Sequence, residues 1–145
     1  MKKTIQFRRI ESVLGDIEHL TFHQTIDIFF DFFQKNLTLP CIVTGEDIFK
    51  WEEYYIFGSG EKKDYQKQRE NQPSYVDIYE LYNITRNDES EWMMYKDDIG
   101  AHVKRLSDGK KFILGLSELK TPDRKAVAYQ MLDDYSVWVY QPLLI

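Results

Sequence analysis

The feature that most constrains the fold is a run of large apolar side chains with helical spacing in residues 21–37. Thr21, followed by Gln24 three residues later, has the form of a capping box, so we expect a helix to begin there. Six side chains then recur at intervals of three and four residues and predict one broad apolar face. Burial of four or five of them contributes about 2 kcal/mol each, so this helix organises the core. The six are Phe22, Ile26, Phe29, Phe30, Phe33 and Leu37.

The rest of the chain predicts one earlier helix and several short strands. Helical spacing indicates a helix over residues 10–20, which Gly15 weakens. After Pro40, residues 41–45 have the composition of a short buried strand. Residues 58–74 are polar throughout and predict a loop or a solvated helix. Further strands are predicted in residues 49–57, 75–84, 91–95 and 135–141, although 75–84 fits either period.

A hairpin is predicted around Asp108-Gly109, a favoured two-residue type I′ turn. With that turn as its centre, apolar side chains of the two strands gather on one face. The expected pairs are Arg105 with Phe112, Val103 with Leu114 and Ala101 with Leu116.

Two helices followed by short antiparallel strands predict an α+β fold. We expect the N-terminal helices to pack on a curled antiparallel sheet or small open barrel. A chain of 145 residues is the usual size of one domain, and neither an internal repeat nor a long linker divides it.

Charge and composition exclude several classes of function. The net charge of −5 supplies no positive field for nucleic acid, and it suits cations or a basic protein partner. The single cysteine rules out an intrachain disulfide. Residues 1–16 carry the charges of a signal peptide without its apolar run, and no stretch is apolar enough for a membrane span. We therefore expect a cytoplasmic protein.

Motifs for catalysis or metal chemistry are weak. His19, His23 and Asp27 have a spacing that could place three ligands on one helix face, but a cap at Thr21 would leave His19 outside the helix. Cys41 lies in an apolar strand, where a thiol is usually a small buried hydrophobe. Nucleophile-elbow, phosphate-loop and CxxC motifs are absent from the sequence, so we expect no enzymatic activity.

Acidic doublets are the remaining candidate chemistry, because calcium takes six to eight oxygen ligands and carboxylates can supply them. Strand ends rich in aspartate are also common turn formers. In the predicted strand 49–57, Glu52 and Glu53 point to opposite faces and do not form a pair. Two doublets precede predicted strands of the C-terminal sheet, so they could meet at one end of it. This four-aspartate set consists of Asp97, Asp98, Asp133 and Asp134.

Three segments carry a family resemblance: NLTLPCIVTG, GAHVKRLSDGKKFILGLSELK and YQMLDDYSVWVY. With the aromatic helix before them, they resemble a group of small uncharacterised bacterial proteins and, more distantly, the CcbP-type calcium-binding proteins of cyanobacteria. The distant resemblance implies a small α/β protein that binds calcium through surface carboxylates. The polar insertion at 58–74 departs from that family.

Taken together, the sequence predicts a non-catalytic acidic binding domain. Its most concrete version binds calcium with low affinity through the four-aspartate set. The alternative is an immunity or antitoxin-like protein that binds a basic protein partner, and it predicts an exposed patch of Tyr and Trp rimmed by carboxylates.

Overall fold

A computed structural model describes residues 4–140, and its first third is helical. Helix α1 spans Ile5–Leu14, a single 3-10 turn covers Ile17–His19, and α2 spans Phe22–Asn36. The capping box predicted at Thr21 is confirmed, because its hydroxyl accepts from the Gln24 main-chain N–H and the Gln24 side chain accepts from the Thr21 N–H. The helix predicted over residues 10–20 is wrong in extent. It begins five residues earlier, under the Thr4 cap, and ends before Gly15, which has a φ of 77° that favours glycine.

The rest of the chain alternates short helices with strands. Strand β1 spans Cys41–Gly45, a 3-10 turn covers Lys50–Glu52, and helices α3 and α4 span Glu53–Ile56 and Lys62–Gln68. The remaining elements follow in chain order. They are β2 Ile78–Thr85, β3 Gly100–Arg105, β4 Lys111–Gly115, the 3-10 turn Leu116–Glu118, β5 Leu119–Lys120 and α5 Val127–Tyr140.

The strands form one antiparallel sheet in the order β4-β3-β2-β1-β5. Helices α2 and α5 contribute large side chains to the core that this sheet encloses. The Tyr135 ring of α5 meets the rings of Phe29 and Phe33 edge-on, with centroids 5.1 and 5.5 Å apart. Phe29 and Phe33 are at most 1% exposed, so the predicted role of α2 in the core is confirmed. The predicted α+β class, with helices on a curled antiparallel sheet, is confirmed too.

Three predicted strands are wrong. Residues 49–57 form the 50–52 turn and α3, and residues 91–95 lie in turns without a strand. The strand predicted over 135–141 belongs to α5 up to residue 140, and residue 141 lies outside the described residues. The apolar run in residues 135–140 contains few polar residues, so its spacing fits a helix as well as a strand. The contacts of Tyr135 with α2 favour the helix. A strand is confirmed within residues 75–84, although β2 begins at Ile78 and ends one residue later, at Thr85. Residues 58–74 contain α4.

The hairpin of β3 and β4 is confirmed, but its register differs by two residues. Val103 pairs with Phe112. A type I′ turn needs positive φ at both central residues, whereas only Gly109 of Asp108-Gly109 has it, at 76°. The loop closes instead between Arg105 and Lys110, with a main-chain bond of 2.8 Å. A shift of two residues keeps every side chain on its predicted face.

Candidate functional site

Asp97 lies between β2 and β3, and its charge is already paired within the protein. Arg86, which follows β2, donates from Nη2 to Asp97 Oδ1 and from Nε to Asp27 Oδ1, both at 2.6 Å. His23 Nδ1 is 3.1 Å from Asp97 Oδ2. The Arg86 guanidinium therefore bridges the carboxylates of Asp97 and Asp27.

Asp98, the next residue, is turned into the core and is 1% exposed. Its Oδ1 accepts from the Tyr135 hydroxyl at 2.6 Å and from the Ile99 main-chain N–H at 2.7 Å, and its Oδ2 accepts from the Ser117 hydroxyl at 2.6 Å. Burial raises the pKa of Asp98 to about 6, although these hydrogen bonds favour the ionised form. Asp98 thus joins the start of β3 to α5 and to the 116–118 turn.

Glu118 faces Asp98 across Gly115. A Cβ atom placed on Gly115 would lie 2.5 Å from Asp98 Oδ2 and 2.9 Å from Glu118 Oε2, so both carboxylates approach the same point. Burial raises the pKa of Glu118 to about 7, and the charge of Asp98 adds to the rise. Sequence reasoning missed Glu118. The one signal was an acid placed within the apolar run ILGLSEL.

Asp133 and Asp134 lie within α5, so the expectation that they precede a strand is wrong. Asp134 accepts two bonds of 2.9 Å from the Arg9 guanidinium, and Gln6 donates to both aspartates at 2.9 and 3.0 Å. These contacts attach α1 to α5. They include no partner of Asp97 or Asp98, so each doublet has a separate set of contacts.

Within residues 4–140, no group of three or more His, Cys, Asp or Glu side chains is arranged to hold a metal ion. His19 is in the 17–19 turn with its side chain 83% exposed, and it does not share a helix with His23. Of the possible three-ligand set, only His23 and Asp27 approach, at 3.7 Å. Cys41 is half-buried, and burial raises the pKa of its thiol, which disfavours the reactive thiolate.

Glu52, in the 50–52 turn, is completely buried, whereas its neighbour Glu53 is exposed. Glu52 accepts from the hydroxyls of Tyr65 and Ser74, both at 2.6 Å, and from the main-chain N–H of Tyr75 at 2.9 Å. Glu52 thus holds α4 and the end of the polar segment 58–74 against the 50–52 turn. The doublet is no carboxylate pair, as predicted, but the reason is a helical turn rather than a strand.

The residues that follow Glu52 expose several large apolar side chains. We call residues 53–57, which comprise α3 and Phe57, the exposed aromatic turn. Phe57 is 77% exposed, Tyr54 59% and Ile56 36%. The inner side of the turn is firmly packed, since Tyr55 stacks on Tyr65 with centroids 5.3 Å apart. An exposed apolar cluster that rests on packed aromatic rings is typical of a contact surface.

Comparison with family models, with curated proteins and with solved structures finds no match for this chain. The resemblance to the CcbP-type proteins and to the small bacterial group therefore stays a prediction. Across the described residues, the helices are too short or too polar to cross a membrane.

Proposed function

We propose that this chain is a non-catalytic binding domain that recognises a basic protein partner through the exposed aromatic turn. The observation that carries the proposal is the exposure of Phe57 and Tyr54 on a packed base. Large aromatic side chains dominate the binding energy of protein interfaces, because they bury much area with little loss of side-chain entropy.

The charge of the chain supports a basic partner. The net charge is −5, and exposed carboxylates lie within the aromatic turn, at Glu53, and shortly after it in the sequence, at Glu61 and Asp64. Lys62 and Lys63 lie among them, so a basic partner is favoured by the charge of the whole chain rather than by a uniformly acidic rim. An immunity or antitoxin-like role, in which the turn covers a basic toxin, is the version that fits these features.

The proposal is tested by capture with the immobilised chain from an extract of its native host, followed by mass spectrometry. We expect a protein of high isoelectric point to be retained by the wild type and lost with Phe57→Ser, since this change removes an exposed contact and leaves the core intact. Rising salt should weaken the complex.

The matched control is Val127→Ser, because Val127 is 80% exposed at the start of α5 and lies outside the turn. It should capture the same partner as the wild type. Failure of the wild type to retain any basic protein, or equal retention by Phe57→Ser, would contradict the proposal.

Calcium binding by the four-aspartate set remains the other version of the binding hypothesis. Asp133 is the member on which it depends most, because among the described residues the side chain that donates to it is the uncharged Gln6. Its charge also acts on Glu46, whose pKa is raised mainly by burial. A calorimetric titration, described below, tests this version separately.

A further inference from the structure

The carboxylates of Asp98 and Glu118 have no role in the aromatic turn, and their arrangement is unusual for the interior of a protein. Both residues are at most 4% exposed, and their oxygens approach one point beside Gly115. Two negative charges buried beside one another repel more strongly than charges in water, because the surroundings screen them less. One carboxyl of such a pair keeps its proton at a pH where an exposed acid has lost it.

The pair holds both ends of one short segment. At one end, Met94 donates its main-chain N–H to Glu118 Oε2 at 3.2 Å, and at the other end Asp98 itself is tied to Ser117 and Tyr135. Residues 94–98, which lie wholly within the described chain, form no helix or strand. Their position is fixed by these bonds, by the packing of Tyr95, and by the contacts of Arg86 with Asp97 and with the Asp98 main-chain oxygen.

This segment forms one wall of a cleft of about 260 Å³. The opposite walls come from α2 and α5. The lining residues are Phe22, Tyr95, Lys96, Asp97 and Val139.

We propose that Asp98 and Glu118 together hold one proton beside Gly115, and that loss of this proton to solvent weakens the hold of the 116–118 turn on residues 94–98. With one carboxyl protonated, the pair carries a single charge that the surrounding donors satisfy. With both ionised, the two charges repel and Glu118 and Asp98 move apart, which shifts the wall of the cleft.

The titratable groups that face the pair are neutral, apart from Arg86. Tyr135 donates to Asp98, and the burial that raises the pKa of Tyr95 and of Tyr140 keeps both hydroxyls neutral. Arg86 donates to the main-chain oxygen of Asp98 at 3.2 Å rather than to its carboxylate. The hydrogen bonds to both carboxyls favour the ionised forms, but among the described residues no cationic side chain pairs with either one, and burial outweighs those bonds in raising both pKa values.

Nuclear magnetic resonance of the full chain tests the proposal, with the main-chain N–H of Met94 as the probe. We expect its shift to titrate between pH 5 and 8, together with that of Ser117, and hydrogen exchange in residues 94–98 to rise above pH 7 by more than the intrinsic increase. Glu118→Gln should abolish the titration at Met94.

The discriminating variant is Asp98→Asn, which removes one charge with little change of shape. It should move the Met94 midpoint to lower pH by about half a unit or more, because Glu118 then ionises without a charged neighbour. Glu80→Gln, on the outer face of β2, is the matched control and should change nothing. An invariant Met94 signal, or a midpoint that Asp98→Asn leaves in place, would overturn the proposal, and the wild-type titration alone can do so if either variant fails to fold.

Discussion

Removal of the Glu52 side chain should destabilise the protein far more than removal of its neighbour. In Glu52→Ala, the main-chain N–H groups of Phe49 and Tyr75 lose their acceptor, and so do the hydroxyls of Tyr65 and Ser74. A buried donor left without a partner costs about 1–3 kcal/mol. A hydroxyl group can rotate but a main-chain N–H cannot, so from the two main-chain donors alone we expect a loss of about 4 kcal/mol.

Two further variants make this prediction quantitative. Glu52→Gln keeps the shape and one acceptor oxygen, so it should cost about 1–2 kcal/mol. Glu53→Ala removes an exposed carboxylate one residue away and should stay within about 0.5 kcal/mol of the wild type. The chemical change at the two positions is the same, so the difference between Glu52→Ala and Glu53→Ala measures the burial of Glu52 and the donors that depend on it.

Urea unfolding at pH 7, followed by circular dichroism, measures these differences. Hydrogen exchange shows where the loss occurs, and we expect residues 58–75 to lose protection first because Glu52 fastens that segment. If Glu52→Ala and Glu53→Ala unfold at the same urea concentration, the reasoning from buried donors is wrong.

Three other outcomes follow from the structure. Because the pKa values of Asp98 and Glu118 are raised, the folded state holds protons that the unfolded chain releases. The free energy of unfolding should therefore fall as the pH rises from about 4 to about 7. The fall is about 3 kcal/mol for each carboxyl taken singly. Urea unfolding across that range should show the fall, which Glu118→Gln reduces, and a stability that increases with pH there would contradict the assignment. Gly115→Ala should lower the melting temperature, because its Cβ would overlap the carboxylates of Asp98 and Glu118. We expect the free energy of unfolding to fall by about 1–3 kcal/mol. An unchanged melting temperature would show that the two carboxylates move aside without cost. For calcium, calorimetry up to millimolar concentration should give a saturable heat that Asp133→Asn reduces if the four-aspartate set binds the ion, and the absence of heat would remove that hypothesis.

Local patterns determined a large part of this fold. The capping box at Thr21 and the spacing of Phe29 and Phe33 predict α2, because a cap and a helical stripe are properties of neighbouring residues. Strand β1 and the hairpin near Gly109 were predictable for the same reason. In these segments the spacing of the apolar residues clearly favours either a helix or a strand, and the tertiary contacts agree with that choice.

The sequence by itself established the size, the α+β class, the acidic charge and the main core helix. Only the tertiary structure decided which acid of each doublet is buried. Glu52 and Asp98 lie inside, while Glu53 is exposed and Asp97 pairs with Arg86 at the surface. The side chains of adjacent residues point in different directions. Which acid of a doublet is buried therefore depends on how its segment packs against the rest of the protein. Glu118 approaches Asp98, 20 positions away in the sequence, only because of that packing. The pKa of each carboxyl group then depends on its burial and on the charges around it.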